Sequence, residues 1–272
     1  MDAWLMTEIN PTLPTARAEL LRSLHVPGNP LIVSNVWDAI TARIVAEAPG
    51  VRALATASHA ISFAHGVSDG EGLTVDQALE AASVICNAVE IPVSVDFEKG
   101  YAADAAGVQA NVERLIAAGA AGLNIEDSAG PAKAPLFDIS QATARVAAVR
   151  AAGNATGVPI AINARVDVLA GGGEWDDMIA RANSYLAAGA DCIFVLGLAN
   201  EQMVAQAIAQ INGPISVIGG AGYVPLKTLA EVGVARISFG PRTLGLTLSH
   251  LQAAATQLTA LGDYPEELGF VY

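Results

Sequence analysis

The sequence predicts a single α/β domain folded as a (β/α)8 TIM barrel, and three observations carry that expectation. Eight short β-rich runs alternate with longer alanine-rich stretches of helical pattern. Most of the runs are continuously apolar instead of alternating, which marks parallel strands buried on both faces. No Gly-x-Gly-x-x-Gly turn follows the first run, which disfavours the open doubly wound sheet, the structural competitor. The length of 272 residues fits one such barrel, since barrels run to roughly 250 residues as one unit.

The candidate strands are 31–35, 53–56, 92–97, 122–127, 159–165, 192–197, 214–218 and 236–240. Helical patterns such as VDQALEAASVICNAV and MIARANSYLAAGA lie between them. Three strands are announced by a repeated phrase: Ala118-Gly119-Ala120-Ala121-Gly122, Ala188-Gly189-Ala190-Asp191 and Val232-Gly233-Val234-Ala235. Each reads as a helix-ending glycine followed by entry into a strand. Others follow a proline that stops the preceding helix (EIPVSV, GVPIAI, GPISVI). The repeat places the barrel and its catalytic domain at 29–262, with an N-terminal extension at 1–28 and a tail at 263–272, both suited to packing or assembly.

Composition narrows the partners. Hydrophobic residues make up 53% of the chain, yet no apolar run approaches the ~20 residues that cross a bilayer, so no membrane segment is expected. A net charge of −13 argues against nucleic acid and anionic membrane surfaces. An anionic small ligand would need a local cation. Cys86 and Cys192 lie in apolar segments and read as free buried thiols. The start, MDAWLMTEINPTLP, lacks the basic and apolar regions of a signal peptide, which points to the cytoplasm.

In a barrel of this kind the site lies at the strand C-termini, so charged residues ending apolar strands carry the functional reading. The third run, PVSVDFEKG, puts Asp96 and Glu98 two residues apart, on one side of the strand. The fourth, GLNIEDS, ends in Glu126 and Asp127, and the fifth, AINARVD, in Arg165 and Asp167. Gathered carboxylates repel one another unless neutralised, and a hard dication with oxygen ligands does this best: Mg2+, with Mn2+ as the alternative. Arg165 suits a forked grip on a substrate carboxylate or phosphonate, and its competing role is a structural pair with Glu126 or Asp167. The stretch after the second strand, TASHAISFAHGVSDGEG, reads as a binding loop in which Thr56, Ala57 and Ser58 offer backbone N–H groups to an anion. His59 and His65 in the same loop are the candidate proton donors, set against a plain surface or packing role. VIGGAG and ISFGP, after the last two strands, offer a second possibility, a phosphate cradle that would bring a phosphorylated ligand.

From SNVWDAITAR to ISFGPRTLG these residues resemble the isocitrate lyase/phosphoenolpyruvate mutase superfamily. The loop ending Gly66-Val67-Ser68-Asp69 looks like that family's Gly-x-x-Asp element, and Asp96-Phe97-Glu98-Lys99-Gly100-Tyr101 like its Asp-x-Asp/Glu-x-Gly-Tyr/Phe motif. Asn124-Ile125-Glu126-Asp127 and Asn163-Ala164-Arg165-Val166-Asp167 match its fourth- and fifth-strand motifs. The resemblance implies that Asp69, Asp96, Glu98 and Glu126 form a Mg2+ site, partly through water, while Thr56, Ala57, Ser58 and Arg165 hold a substrate carboxylate. It also implies a small α-oxo or α-hydroxy acid as substrate, a C–C or P–C bond broken or formed through an enolate, and a homo-oligomer, dimer or tetramer, with exchanged C-terminal helices.

The chain departs from the family in places. The isocitrate and methylisocitrate lyases carry a Lys-Lys-Cys-Gly loop after the fourth strand, where this chain reads EDSAGPAKAPLFD without a cysteine. The Asn or Thr of the phosphonate enzymes' longer loop is not evident in 128–136 either, and VLGLAN and VIGGAG replace the Glu and Asn that the lyases place after strands six and seven. The expectation is therefore a Mg2+-dependent lyase on an oxaloacetate-sized acid, by decarboxylation or retro-aldol cleavage. The alternatives are a phosphonomutase or phosphonopyruvate hydrolase type of P–C bond enzyme, and a non-catalytic metabolite-binding barrel.

Overall fold

The computed structural model describes residues 13–130 and 135–265. After helix α1 (Leu13–Ser23), the chain forms β1 (Leu31–Val33), β2 (Asn35–Val36) and α2 (Ala39–Ala46). Then come β3 (Leu54–Thr56), α3 (Ser58–Ala64), α4 (Val75–Cys86), β4 (Val93–Asp96), α5 (Ala105–Ala117) and β5 (Gly122–Glu126). The second half runs α6 (Ile139–Thr156), β6 (Ala161–Val166), α7 (Trp175–Ala187), β7 (Cys192–Val195), α8 (Glu201–Gln210) and β8 (Ile215–Ile218). It ends with α9 (Leu226–Glu231), β9 (Arg236–Ser238) and α10 (Arg242–Thr259).

Every strand pairing is parallel, in the order β1-β9-β8-β7-β6-β5-β4-β3-β2. This is the expected barrel, with one refinement. The run expected at 31–35 is two segments: β1 pairs with β9, β2 pairs with β3, and the chain changes partner at Ser34. The Ser34 carbonyl still accepts the Ala55 N–H at 3.3 Å, so the nearly closed barrel meets itself across one interrupted strand.

Local chemistry explains the element ends. Asp38, Thr74, Asp104, Asp138 and Asn200 cap helix N-termini through their side chains, as short polar residues do. At the repeated phrase Gly119, Gly189 and Gly233 sit at φ 104°, 108° and 104°, a left-handed turn that stops the helix and aims the chain into the next strand.

The main core lies between the outer faces of the strands and the surrounding helices. A smaller cluster closes the barrel floor. Leu21 and Leu24 of the α1 region pack with Leu31, Val33, Ala53, Ala55, Ala121 and Ala161. A Cβ on Gly122 would lie 2.6 Å from Leu21 Cδ2, so the glycine admits the leucine. The extension expected at 1–28 therefore includes a plug for the barrel; its residues before 13, and the tail beyond 265, lie outside the described residues. Cys86 and Cys192 are free and buried, as expected, and burial pushes each thiol up to about 12. Among the described residues no helix is long and apolar enough to cross a membrane.

Candidate active site

The C-terminal ends of β3 to β6 bring the charged strand-end residues together. Asp96 closes β4, in register with Asn124 of β5, which is in register with Asn163 of β6. These form a hydrogen-bonded row. Asp96 Oδ2 accepts the Ser58 N–H at 3.0 Å and the Ser58 hydroxyl at 2.9 Å. Asn124 Nδ2 donates to Asp96 Oδ1 at 3.3 Å, and Asn163 Nδ2 donates to Asn124 Oδ1 at 2.8 Å. The Asp96 N–H donates to Thr56 Oγ1 at 2.8 Å. Three donors, two from Ser58 at the start of α3 and one from Asn124 of β5, thus fix one carboxylate.

Glu98 stands just beyond the strand. It accepts the Glu71 N–H, and the Tyr101 hydroxyl at 2.7 Å. Glu71 in turn accepts the Tyr101 N–H at 2.6 Å and pairs with Lys99 at 3.0 Å. Burial pushes the Glu98 carboxyl up to about 7, with the charges of Asp96 and Asp69 adding to the rise and the Tyr101 hydrogen bond opposing it.

Arg165 sits between two acids. Its Nη1 lies 2.6 Å from Glu126, while Nε and Nη2 grip Asp167 at 2.7 and 2.9 Å. Asp167 is fully buried and also accepts the Ser128 hydroxyl. Burial pushes Glu126 up to about 8 even with the guanidinium beside it, because Arg165 is shared with Asp167, and Asp167, Asp96 and Glu98 repel a further negative charge. Behind this layer Asp127 accepts the Asp167 N–H and the Tyr185 hydroxyl, both at 2.9 Å, and faces Arg181 at 3.4 Å.

The balance of charge is informative. Arg165 pairs with Glu126 and Asp167, the buried Arg236 lies close enough to act on Asp96 by its charge, and Lys99 and Arg181 are committed to Glu71, Asp127 and Asp177. Buried acids raised toward neutral pH and surrounded by oxygen donors fit a hard dication, which would hold them ionised. Among the described residues no three His, Cys, Asp or Glu side chains converge closely enough to ligate one ion unaided.

Of the expected site residues, the structure gathers Asp96, Glu98, Glu126, Arg165, Thr56 and Ser58. Asp69 stays on the exposed loop at the rim, its Oδ2 3.6 Å from His59 Nδ1, yet close enough for its charge to act on Glu98. His59 is largely exposed and stacks on Phe63, and exposed His65 caps α3; neither reaches the carboxylate row. Ser58 gives its amide and hydroxyl to Asp96, and Thr56 supports the Asp96 amide, so two of the three residues expected to hold an anion here hold Asp96. Ala57 is buried at the N-cap of α3. Both pairings weighed for Arg165 occur together, and three of its five N–H groups are engaged. The segment after β5 is pinned by a bridge between Ser128 and Leu136, while 131–134 lie outside the described residues.

Glu71, Tyr101, Asn124 and Asn163 were missed as site residues. The period of two held a signal for the asparagines, which precede Glu126 and Arg165 by two residues and so share their face. Glu71 carried none, because only the folded loop brings it to Glu98.

Comparison with known proteins identifies the family. The phosphoenolpyruvate phosphomutase family profile matches residues 21–259. Oxaloacetate decarboxylase from Bradyrhizobium sp. (strain BTAi1) is 31% identical over 263 residues, 90% of this chain and 89% of the relative. The 2-methylisocitrate lyase of Escherichia coli (strain K12) is 31% identical over 232 residues, 79% of this chain and 78% of the relative. A crystal structure from Burkholderia cenocepacia J2315, provisionally described as a phosphonomutase, is 40% identical with a TM-score of 0.84, covering 89% of this chain and 99% of that one. With strand-end acids, arginine and barrel all in the matched span, the chain is an enzyme of the phosphoenolpyruvate mutase family, within the isocitrate lyase/phosphoenolpyruvate mutase superfamily.

Proposed function

We propose that this enzyme is a Mg2+-dependent carbon–carbon lyase acting on a small α-oxo or α-hydroxy carboxylate of oxaloacetate size, with Mn2+ able to replace Mg2+. The observation that carries the reading is the gathering of Asp96, Glu98 and Glu126 at neighbouring strand ends, of which only Glu126 is paired with Arg165. Glu98, Glu126 and Asp96, the last fixed by Ser58 and Asn124, would hold the ion, with Asp69 contributing from the rim. A bound dication supplies Lewis-acid stabilisation of the negative charge that develops on the substrate oxygen. Arg165 directs its remaining N–H groups to the substrate carboxylate, with Asp167 fixing the plane of the fork. Thr56, Ala57 and Ser58 shape the adjoining wall. The similarity to oxaloacetate decarboxylase and 2-methylisocitrate lyase supports C–C cleavage of a carboxylate.

P–C bond chemistry is the second reading, favoured by the 40% identical structure described as a phosphonomutase. The assay that separates them offers purified protein oxaloacetate, 2-methylisocitrate and phosphonopyruvate in turn, with Mg2+ and with EDTA. Pyruvate released from oxaloacetate only when Mg2+ is present is the expected result. Turnover of phosphonopyruvate alone would move the proposal to the second reading. No turnover of any of the three, with Mn2+ still bound, would leave a metabolite-binding barrel; no turnover and no Mn2+ binding would overturn the proposal. The exposed leucines on α10 support a homo-oligomer.

A further inference from the structure

The segment that carries Glu98 leaves β4 in a conformation its own backbone does not favour. Glu98 and Tyr101 take φ 48° and 53°, the left-handed region that favours glycine and strains other residues. Side chains from two helices hold it there. Asn111 of α5 donates to the carbonyls of Gly100 at 3.1 Å and Tyr101 at 2.9 Å. Arg145 of α6 takes the flanking carbonyls: Nη1 donates to Lys99 O at 2.9 Å and Ala102 O at 3.1 Å, Nη2 to Ala102 O at 3.1 Å and Ala103 O at 2.8 Å. Five successive carbonyls, 99–103, are thus gripped by two side chains.

Arg145 is 4% exposed, and its guanidinium lies flat against the Phe137 ring, 4.1 Å from the centroid. Phe137 ends the segment after β5: its N–H donates to Asp127 O at 2.9 Å, and it follows the Ser128–Leu136 bridge directly. One planar cation therefore bonds the Glu98 loop by its edge and the other loop by its face.

We propose that Arg145 is a positioning residue that couples the two loops, so that the placement of Glu98 and that of Phe137 with the Ser128–Leu136 bridge depend on each other. This rests on the reading of Glu98 as part of the ion-binding cluster. A lysine could not take over, since an ammonium cannot span these carbonyls in one plane while stacking on a ring.

Hydrogen exchange on the purified protein tests the coupling without any ligand. The probes are the amides of Gly100 and Tyr101 in one loop and of Ala129 and Phe137 in the other, all hydrogen-bonded in the structure. Both Arg145→Lys and Phe137→Leu are expected to speed exchange in both loops about tenfold or more. The control, Arg150→Lys, lies on the same helix but binds Gly189, Ile160 and Asp191, and should leave both loops at the wild-type rate. Mn2+ titration followed by electron paramagnetic resonance should show binding weakened about tenfold in Arg145→Lys and unchanged in Arg150→Lys. Unchanged exchange and Mn2+ affinity in Arg145→Lys would overturn the proposal. So would a Phe137→Leu protein loosened only in its own loop, a result that decides the matter even if the arginine variant folds poorly. A wild-type protein that binds no Mn2+ would count against the metal reading, while the exchange rates still judge the coupling.

Discussion

Glu126 and Glu98 make the folded state sensitive to pH in a direction opposite to most surface acids. Their folded values, about 8 and about 7, lie above the ordinary 4.5, so the metal-free fold binds more protons than the unfolded chain between those limits. The stability this confers is complete below about pH 4.5 and is lost as pH rises through 7 to 8, a loss of roughly a few kcal/mol. Thermal melting in EDTA should accordingly give a lower Tm at pH 8.5 than at pH 5.5, and Glu126→Gln should shrink that difference. Added Mg2+ should raise Tm more at pH 8.5 than at pH 5.5; the same increment at both would show that the acids do not bind it. Arg165 invites a kinetic test. Arg165→Lys keeps a charge but loses the fork across Glu126 and Asp167, and we expect KM for the oxo acid to rise about tenfold or more. An unchanged KM would confine Arg165 to pairing with its two acids.

At the scale of elements, α1 matters more than its place outside the eightfold repeat implies. Its Leu21 is fully buried on the barrel floor over the gap left by Gly122. Leu21→Ala should cost about 2–5 kcal/mol through the cavity it leaves. In a chain of this size that lowers Tm by roughly 5–15 °C, with Mg2+ affinity preserved because the floor and the mouth lie at opposite strand ends. Differential scanning calorimetry with a parallel Mn2+ titration checks both halves. The strands illustrate what local pattern conveys. Their apolar runs and the glycines before them made strands and order legible, whereas the break at Ser34 did not show, because partner exchange between β9 and β3 is a property of closure and not of the run itself.

For the molecule as a whole, α10 leaves large apolar side chains uncovered. Leu246 and Leu251 are 64% and 65% exposed, Leu248 and Leu258 are exposed as well, and Leu244 is the one buried residue of the helix. Leu248, Leu251 and Leu258 share one side of the helix and Leu246 lies toward the other, and we take this exposed apolar surface as the interface of the proposed homo-oligomer. Paired substitutions Leu246→Glu and Leu251→Glu should convert an oligomer into a monomer in light scattering after gel filtration. A wild-type protein already monomeric at micromolar concentration would contradict the homo-oligomer.

The sequence alone determined the barrel, because parallel buried strands, helix-stopping glycines and an eightfold rhythm are all local patterns. It also determined which acids and which arginine end the strands, since a period of two assigns a face without any knowledge of partners. The tertiary structure decided how those residues divide their bonds: Arg165 between Glu126 and Asp167, Ser58 turned to Asp96, Glu71 and Tyr101 brought to Glu98. It also placed His59 and His65 outside the carboxylate row. Strand ends are fixed by their own run, but a loop side chain finds its partner only when distant segments pack, so contacts such as Arg145 on residues 99–103 have no signature in the chain.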